Sequence, residues 1–334
     1  MAAGIKALRK IQLGREATSG TPVAATTIFR GLGTIEDQRK VVFPNEDVGL
    51  VVATDRAYTA QYLAALSMEN TEATFEQLPH ILEAGIKSIG TGAADGAGTD
   101  KIYDYVLPEA TKNTIKSYTI EGGDDVEEEE MEYSFVSDFS LSGAPGEAIM
   151  MSANWLGRQV TPSTFTAALA IPTVEEILFS KGKLYVDLVS AAFGTTLKSS
   201  TFLGMTLNVK TGWVPKFTGD GALYFTFAKL TRPEITLEIT FEHEPTGVAG
   251  KVDWRALTSR KIQCKFEGSQ VGTPGTTYTY KTLIINLAGK WEKFGKLGEQ
   301  DGNDILTGTF RAGYNATAAD IGNIIVVNEL ATIP

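Results

Sequence analysis

The stretch Ile235-Thr236-Leu237-Glu238-Ile239-Thr240-Phe241-Glu242 alternates apolar and polar side chains without a break. In an extended chain successive side chains point to opposite faces, so this run predicts a strand with one buried and one wetted face. Burying Ile235, Leu237, Ile239 and Phe241 would contribute roughly 1.5–3 kcal/mol each before entropy is counted. The same period continues outward. Ile262, Cys264 and Phe266 alternate with Gln263 and Lys265, and Tyr278 and Tyr280 lead into Leu283-Ile284-Ile285-Asn286-Leu287. Upstream, Tyr133 and Phe135 flank Ser134, and Phe139 and Leu141 flank Ser140. Glycine, proline and asparagine punctuate these runs at the short intervals turns require. Helical signals are few. Pro79 opens a short candidate through Ala84 with Gly85 placed to end it, and Val248 to Leu257 is the other.

Two copies of one unit are written into the chain. Phe29 and Phe202 lie 173 positions apart, as do Gly31 and Gly204, Val41 and Val214, Asp47 and Asp220, Leu50 and Leu223, and Glu69 and Glu242. These are six ungapped identities where composition alone would give roughly three. At the same offset Tyr62, Ala64, Leu66 and Met68 fall on Ile235, Leu237, Ile239 and Phe241. Upstream, Ile11 and Leu13 fall on Leu184 and Val186, and Gly20-Thr21 matches Gly194-Thr195 with one inserted residue. The expected fold is therefore mainly β: two tandem β-sandwich or β-barrel-like domains, each with one short helix. The first spans 1–172, with an N-terminal arm of about two dozen residues that orders on assembly, and the second spans 173–334. The helical-looking stretch Val174 to Phe179 is the expected connector.

Composition narrows the function classes. With 30 basic against 40 acidic residues the chain carries a net charge of −10, the wrong sign for gripping phosphates. One cysteine excludes an internal disulfide framework. The opening lacks an uninterrupted apolar run and no stretch is long enough for a membrane helix, so no signal peptide and no membrane role are expected. Asp124, Asp125 and Glu127 to Glu130 place six carboxylates in seven residues, which predicts a solvated loop or ribbon tip.

Catalytic chemistry finds little footing. The chain has two histidines; His80 falls in a candidate helix and His243 at a strand end, where packing or surface roles fit better than a base. Cys264 shares an apolar face with Ile262 and Phe266 and is expected in the core. The segment Gly90-Thr91-Gly92-Ala93-Ala94-Asp95-Gly96 lacks dinucleotide-loop spacing and is expected as a flexible loop. Asp301-Gly302-Asn303 fits a hairpin turn better than an isolated calcium repeat. No enzyme class, cofactor or metal site is supported.

At this point the chain resembles the tail tube proteins of long-tailed phages and prophages. The segments carrying the likeness are Gly14-Arg15-Glu16-Ala17-Thr18-Ser19-Gly20-Thr21-Pro22-Val23-Ala24-Ala25-Thr26, Phe139 to Arg158 as a central hairpin, Arg232-Pro233 before a strand, and the ending Val326-Val327-Asn328-Glu329-Leu330-Ala331. No single motif is specific; their order over nearly the whole chain is. The resemblance implies a non-enzymatic subunit that closes into rings stacked around a tape-measure protein. Tail terminator and distal tail proteins would meet its ends, and DNA would pass through without specific binding. Its place would be the virion tail, assembled in the host cytoplasm. Two units per chain favour a homotrimeric ring over a hexameric one, and the flexible, non-contractile kind of tail. Glu69, Glu238 and Glu242 are then expected to face the lumen. Gly90 and Gly96, with Asp124, Asp125, Glu127 and Glu128, are candidates for loops contacting neighbouring rings. The rival from another class is a monomeric carbohydrate-binding or adhesin β-sandwich.

Overall fold

The computed structural model describes residues 4–334. The first half supplies β1 (Lys10–Arg15), β2 (Thr27–Phe29), β3 (Gly33–Asp37), β4 (Lys40–Val42), β5 (Tyr58–Gln61), β6 (Ala64–Glu72), α1 (Leu78–Gly85), β7 (Ala93–Ala94), β8 (Lys101–Val106), β9 (Tyr118–Gly123), β10 (Glu128–Gly143), β11 (Met150–Gly157) and β12 (Val160–Pro162). The second supplies β13 (Gly182–Leu188), β14 (Leu197–Lys198), β15 (Phe202–Lys210), β16 (Trp213–Lys216), β17 (Phe227–Leu230), β18 (Glu234–Glu242), α2 (Pro245–Arg255), β19 (Ser259–Gln270), β20 (Tyr280–Phe294), β21 (Gly298–Gln300), β22 (Asn303–Ala312) and β23 (Gly322–Asn328). The fold is mainly β with two short helices, as the alternation requires.

The halves repeat each other ladder by ladder. In the first, β2-β1-β9-β10-β12 form one sheet and β3-β6-β11-β10 the other. In the second, β14-β13-β19-β20-β23 and β15-β18-β22-β20 do the same. The hairpin β4–β5 has its counterpart in β16–β17. Each half thus has one long strand, β10 or β20, that bends out of one sheet and into the next. Both bends carry a bulge at the same place, after Val136 against β11 and after Trp291 against β22. Following the ladders from strand to strand never returns to the start, so no barrel closes within the described residues.

The shared bulge fixes which residues are equivalent. Trp155 lies opposite both Val136 and Leu66, as Phe310 lies opposite Trp291 and Leu237. Leu66 therefore matches Leu237, and Met68 matches Ile239. The ungapped offset that set Leu66 on Ile239 and Glu69 on Glu242 is two residues out in this strand. A slip of two leaves every side chain on its original face, which is why the pattern still matched.

The two sheets of each half meet face to face. Ile11, Leu13 and Ile120 from one sheet and Leu66, Met68 and Trp155 from the other belong to a buried cluster that runs on through the second half to Leu184, Cys264, Leu237 and Phe310. Tyr118 stands edge-on to Trp155 at 5.6 Å between ring centroids, and Trp291 edge-on to Phe310 at 5.4 Å. Two joints weld the halves. β10 pairs with β15, and β8 leaves the first half to pair with β23 of the second.

Four expectations are corrected. The N-terminal segment is no loose arm from Lys10 onward, because Ile11 and Leu13 are buried and β1 pairs on both sides. Val174 to Phe179 is extended, since Ile177 bonds Ala73 and Ile149 on either side and its burial alternates. The acidic run is only partly a loop: Asp124 to Glu127 form the β9–β10 turn, while Glu128 to Glu130 are strand. The hairpin turn expected on Gly302-Asn303 forms one residue earlier: Asn303 already pairs with Gln300, and Asp301 and Gly302 make the turn with positive φ (52° and 82°), as a tight primed turn demands.

Each half is pinned by a buried carboxylate at the end of its first strand, Glu16 just past β1 and Asp187 within the last residues of β13. Glu16 accepts bonds from the N–H of Gly20 and Tyr133 (both 2.7 Å) and from Ser117 and Thr119. Asp187 accepts from the N–H of Gly194 (2.9 Å) and Thr196 (2.6 Å) and from Thr195 Oγ1 (2.6 Å). Glu16→Ala leaves buried donors unpaired and is expected to lower unfolding free energy by about 1–3 kcal/mol or more, read from a denaturant midpoint. The exposed Glu299→Ala is the control and should move it by less than about 0.5 kcal/mol.

Candidate assembly surface

Through the β10–β15 ladder the second sheets of the two halves become one sheet of eight strands, ordered β3-β6-β11-β10-β15-β18-β22-β20. One face holds the core. The other, by the period of two, is mostly polar: a few apolar residues such as Met150, Leu156 and Ile305 stand among Ser67, Asn154, Asp138, Ser140, Ser152, Thr206, Asn208, Thr236, Glu238, Thr240, Thr307 and Thr309. The polar side chains bond across strands. Ser67 donates to Asn154 Oδ1 (2.9 Å) and Asn154 Nδ2 to Asp138 Oδ1 (2.7 Å). Ser140 meets Ser152 at 2.8 Å and Thr240 meets Thr307 at 3.2 Å.

Glu69, Glu238 and Glu242 all stand on this face, Glu69 exposed and the other two half-buried among their neighbours. Thr309 Oγ1 lies 3.4 Å from Glu238 Oε2. Two cations on the face, Lys210 and Arg311, are already neutralised, while Lys293, opposite Thr309 at the β20 border, has no ion-pair partner among the described residues. Lys210 Nζ is 3.0 Å from Glu234, and Arg311 is 2.6 Å from Glu234 and 3.1 Å from Glu292. The salt bridges around Glu234 hold its carboxyl below the usual range, first through the bond from Lys210. A groove of about 690 Å³ crosses the face at the β10–β15 seam, lined in part by Ser137, Asp138, Asn208 and Lys210.

The sheet has two borders without a strand partner among the described residues, although on β20 the Glu292 carbonyl accepts a bond from Trp254 Nε1 of α2 (3.0 Å). β3 pairs only with β6. On the side away from β22, β20 has no strand beyond Lys290, where β19 departs. Backbone groups along such borders seek a partner. The borders also differ in charge: Glu36 on β3, where Asp37 is already paired with Arg39, against Lys293 on β20 and Lys296 just past it.

The loop candidates divide. Asp124, Asp125 and Glu127 form the exposed tip, where Asp124 is held low by the N–H groups of Val126 and Glu127, and Asp125 accepts from Ile5 N. Glu128 instead turns inward and accepts from Phe165 N at 2.7 Å, fastening the connector. Gly90 accepts a bond from Ile333 N, and Gly96 lies in a segment whose Asp95 takes the N–H groups of Thr277 and Tyr278. The contacts of that segment are with the chain's own second half.

The densest polar cluster is sealed. Glu83, wholly buried, accepts from Arg15 (2.7 and 2.8 Å), Tyr118 Oη (3.0 Å), Ser88 Oγ and Ile89 N. Because Tyr118 donates to Glu83, His80 Nδ1, 3.2 Å away, is left to donate to that hydroxyl. These side chains bind β1, α1 and β9 together rather than open to a substrate. Cys264 is likewise core, its thiol pushed up to about 12 by burial. Among the described residues no group of three or more His, Cys, Asp or Glu side chains is arranged to hold a metal, and no helix is long and apolar enough to cross a membrane. The sequence reading missed the carboxylate pins and the seam between the halves. The pins did leave a signal, an acid followed within a few residues by Gly-Thr in both copies. No protein-family model and no curated protein matches the chain.

Burial lowers His80 to about 4 from its ordinary 6.5. Between those values the unfolded chain takes up a proton that the native one refuses, so stability is complete above pH 6.5 and falls as pH drops toward 4. The loss is on the order of 3 kcal/mol. Denaturant titrations at pH 7 and 4.5 should show this slope, and His80→Gln should flatten its share of it.

Proposed function

We propose that this chain is a structural subunit of the tail tube of a long-tailed phage or prophage, closing into homotrimeric rings that stack as a conduit for DNA. The β10–β15 ladder carries the reading. It joins the last strand of one four-stranded unit to the first of the next, and the outer borders β20 and β3 are the same two strands without partners. A second copy laid head to tail would repeat inside the assembly a junction that each chain already contains. Such a heterologous contact yields a ring when the rotation closes. Three chains of two units give six units around, against twelve for a hexamer of chains.

The polar face suits a lumen. Hydroxyls and carboxylates dominate the middle of the face, where the Lys210 and Arg311 charges are matched by Glu234 and Glu292, and Lys293 stands only at its border. Glu69, Glu238 and Glu242 then repel passing DNA. The tape-measure, tail terminator and distal tail proteins are the expected partners, and the virion tail the expected location. The order of sequence segments shared with tube proteins supports the same reading.

The internal ladder also supplies a register. Asp138 pairs with Lys210 across the seam, and the equivalent positions at the borders are Lys293 and Gln38. Cα atoms so paired lie about 4.5–5.5 Å apart, within disulfide reach. Lys293→Cys with Gln38→Cys, oxidised in concentrated protein, is expected to give a covalent closed trimer, with rings or tubes under negative stain. Dispersed 35.9 kDa particles and no cross-link would overturn the reading in favour of a monomeric carbohydrate-binding or adhesin sandwich.

A further inference from the structure

We infer that the hairpin of β4 and β5, with the long loop between them, is a clasp that seats on the second half of a neighbouring copy. This rests on the head-to-tail assembly proposed above and names a contact separate from the strand borders.

The template is inside the chain. The equivalent hairpin, β16–β17, folds over the first half. Its Trp213 and Phe225 are buried with Phe135 of β10, and Tyr133 and Leu156 pack around them. Phe225 and Phe135 stand edge-on at 5.8 Å. Arg158 donates to the carbonyls of Phe225 (3.1 Å) and Thr226 (3.0 Å), and Tyr62 N to that of Leu223 (2.9 Å). The base of the hairpin, at Trp213 and Leu230, shares a small cavity with Gly85 and Ile86 at the end of α1.

The first hairpin repeats the two-stranded ladder with a longer loop, and among the described residues its apolar side chains stay exposed. At the 173-residue spacing Val41, Asp47 and Leu50 meet identical residues, and Val52 takes the place of Phe225. Phe225 is 0% exposed; Val52 is 72% exposed, Leu50 64% and Phe43 68%. So much apolar surface on one loop is unusual for a free monomer. Among the described residues the two hairpins have different surroundings: β16–β17 has the first half beneath it, whereas the apolar side chains of β4–β5 and its loop stand exposed.

The matching seat lies at the other end of the molecule. The equivalent of the α1 end is the end of α2, where Val252 is 55% and Leu257 65% exposed. The equivalent of Phe135 is Lys290, exposed on β20. Basic Lys251, Arg255 and Lys290 there face the charge that Asp47 and Asp55 bring on the hairpin. Apolar loop, apolar seat and opposite charge all belong to this chain, so the occupant is a second copy.

The test uses the full chain in sedimentation velocity over a concentration series, with Val51→Asp/Val52→Asp on the hairpin and Leu257→Asp on the seat. These positions are exposed, so monomer melting should not change. Each variant is expected to move the assembly midpoint at least roughly tenfold upward. Val52→Cys with Lys290→Cys should cross-link between copies. If wild type assembles and the variants assemble at the same concentration without that cross-link, the clasp is wrong while the tube reading stands. If wild type stays monomeric and neither this pair nor Lys293→Cys with Gln38→Cys cross-links, both are overturned.

Discussion

A strand at the border of an open sheet leaves a row of backbone donors and acceptors facing outward, and a protein must pair, cover or charge them. In this chain that constraint is met once, where β10 meets β15, and left open twice, at β3 and past Lys290 of β20. The rest of the architecture serves that row. The bulges after Val136 and Trp291 free the second half of each long strand from one sheet and deliver it to the border of the other. The pins at Glu16 and Asp187 fix the turns that follow the first strands, Glu16 also tying β1 to β9 and β10.

Duplication makes the free borders specific rather than merely sticky. In the proposed assembly, the seam within the chain would set which strand meets which, in what direction and in what register. The borders also contrast in charge, with Glu36 on one, and Lys293 on and Lys296 just past the other. In the proposed assembly that contrast would favour head-to-tail growth over pairing of two identical edges. A flat wall of hydroxyl and carboxylate side chains comes at no added cost, because it is the other half of the alternation that builds the core.

Much of this was legible in the residues. Ile235 to Glu242 announces its strand because it is buried on one face throughout, so periodicity and structure coincide. β10 is harder. Its faces exchange at the bulge, so Phe135 serves the seam with Trp213 while Phe139 serves the main core, and a single alternating pattern does not reveal the switch. Val174 to Phe179 misled because a short apolar run fits helix and strand alike. The acidic run was expected in solvent on grounds of mutual repulsion, yet Glu128 finds a backbone donor at Phe165 that no local rule foresees. The excursion of β8 into the second half, and the cover that β16–β17 gives the first, depend on contacts between residues far apart in the chain.

The direct test is amide hydrogen exchange on the wild-type chain, dispersed and concentrated. Pairing between copies should slow exchange at Gly33 to Asp37 and from Lys293 to Gly298 on concentration, toward the protection already present at Leu207 and Val209 in the internal seam. Concentrated, assembled protein in which those two segments exchange as fast as in the monomer would contradict border pairing outright.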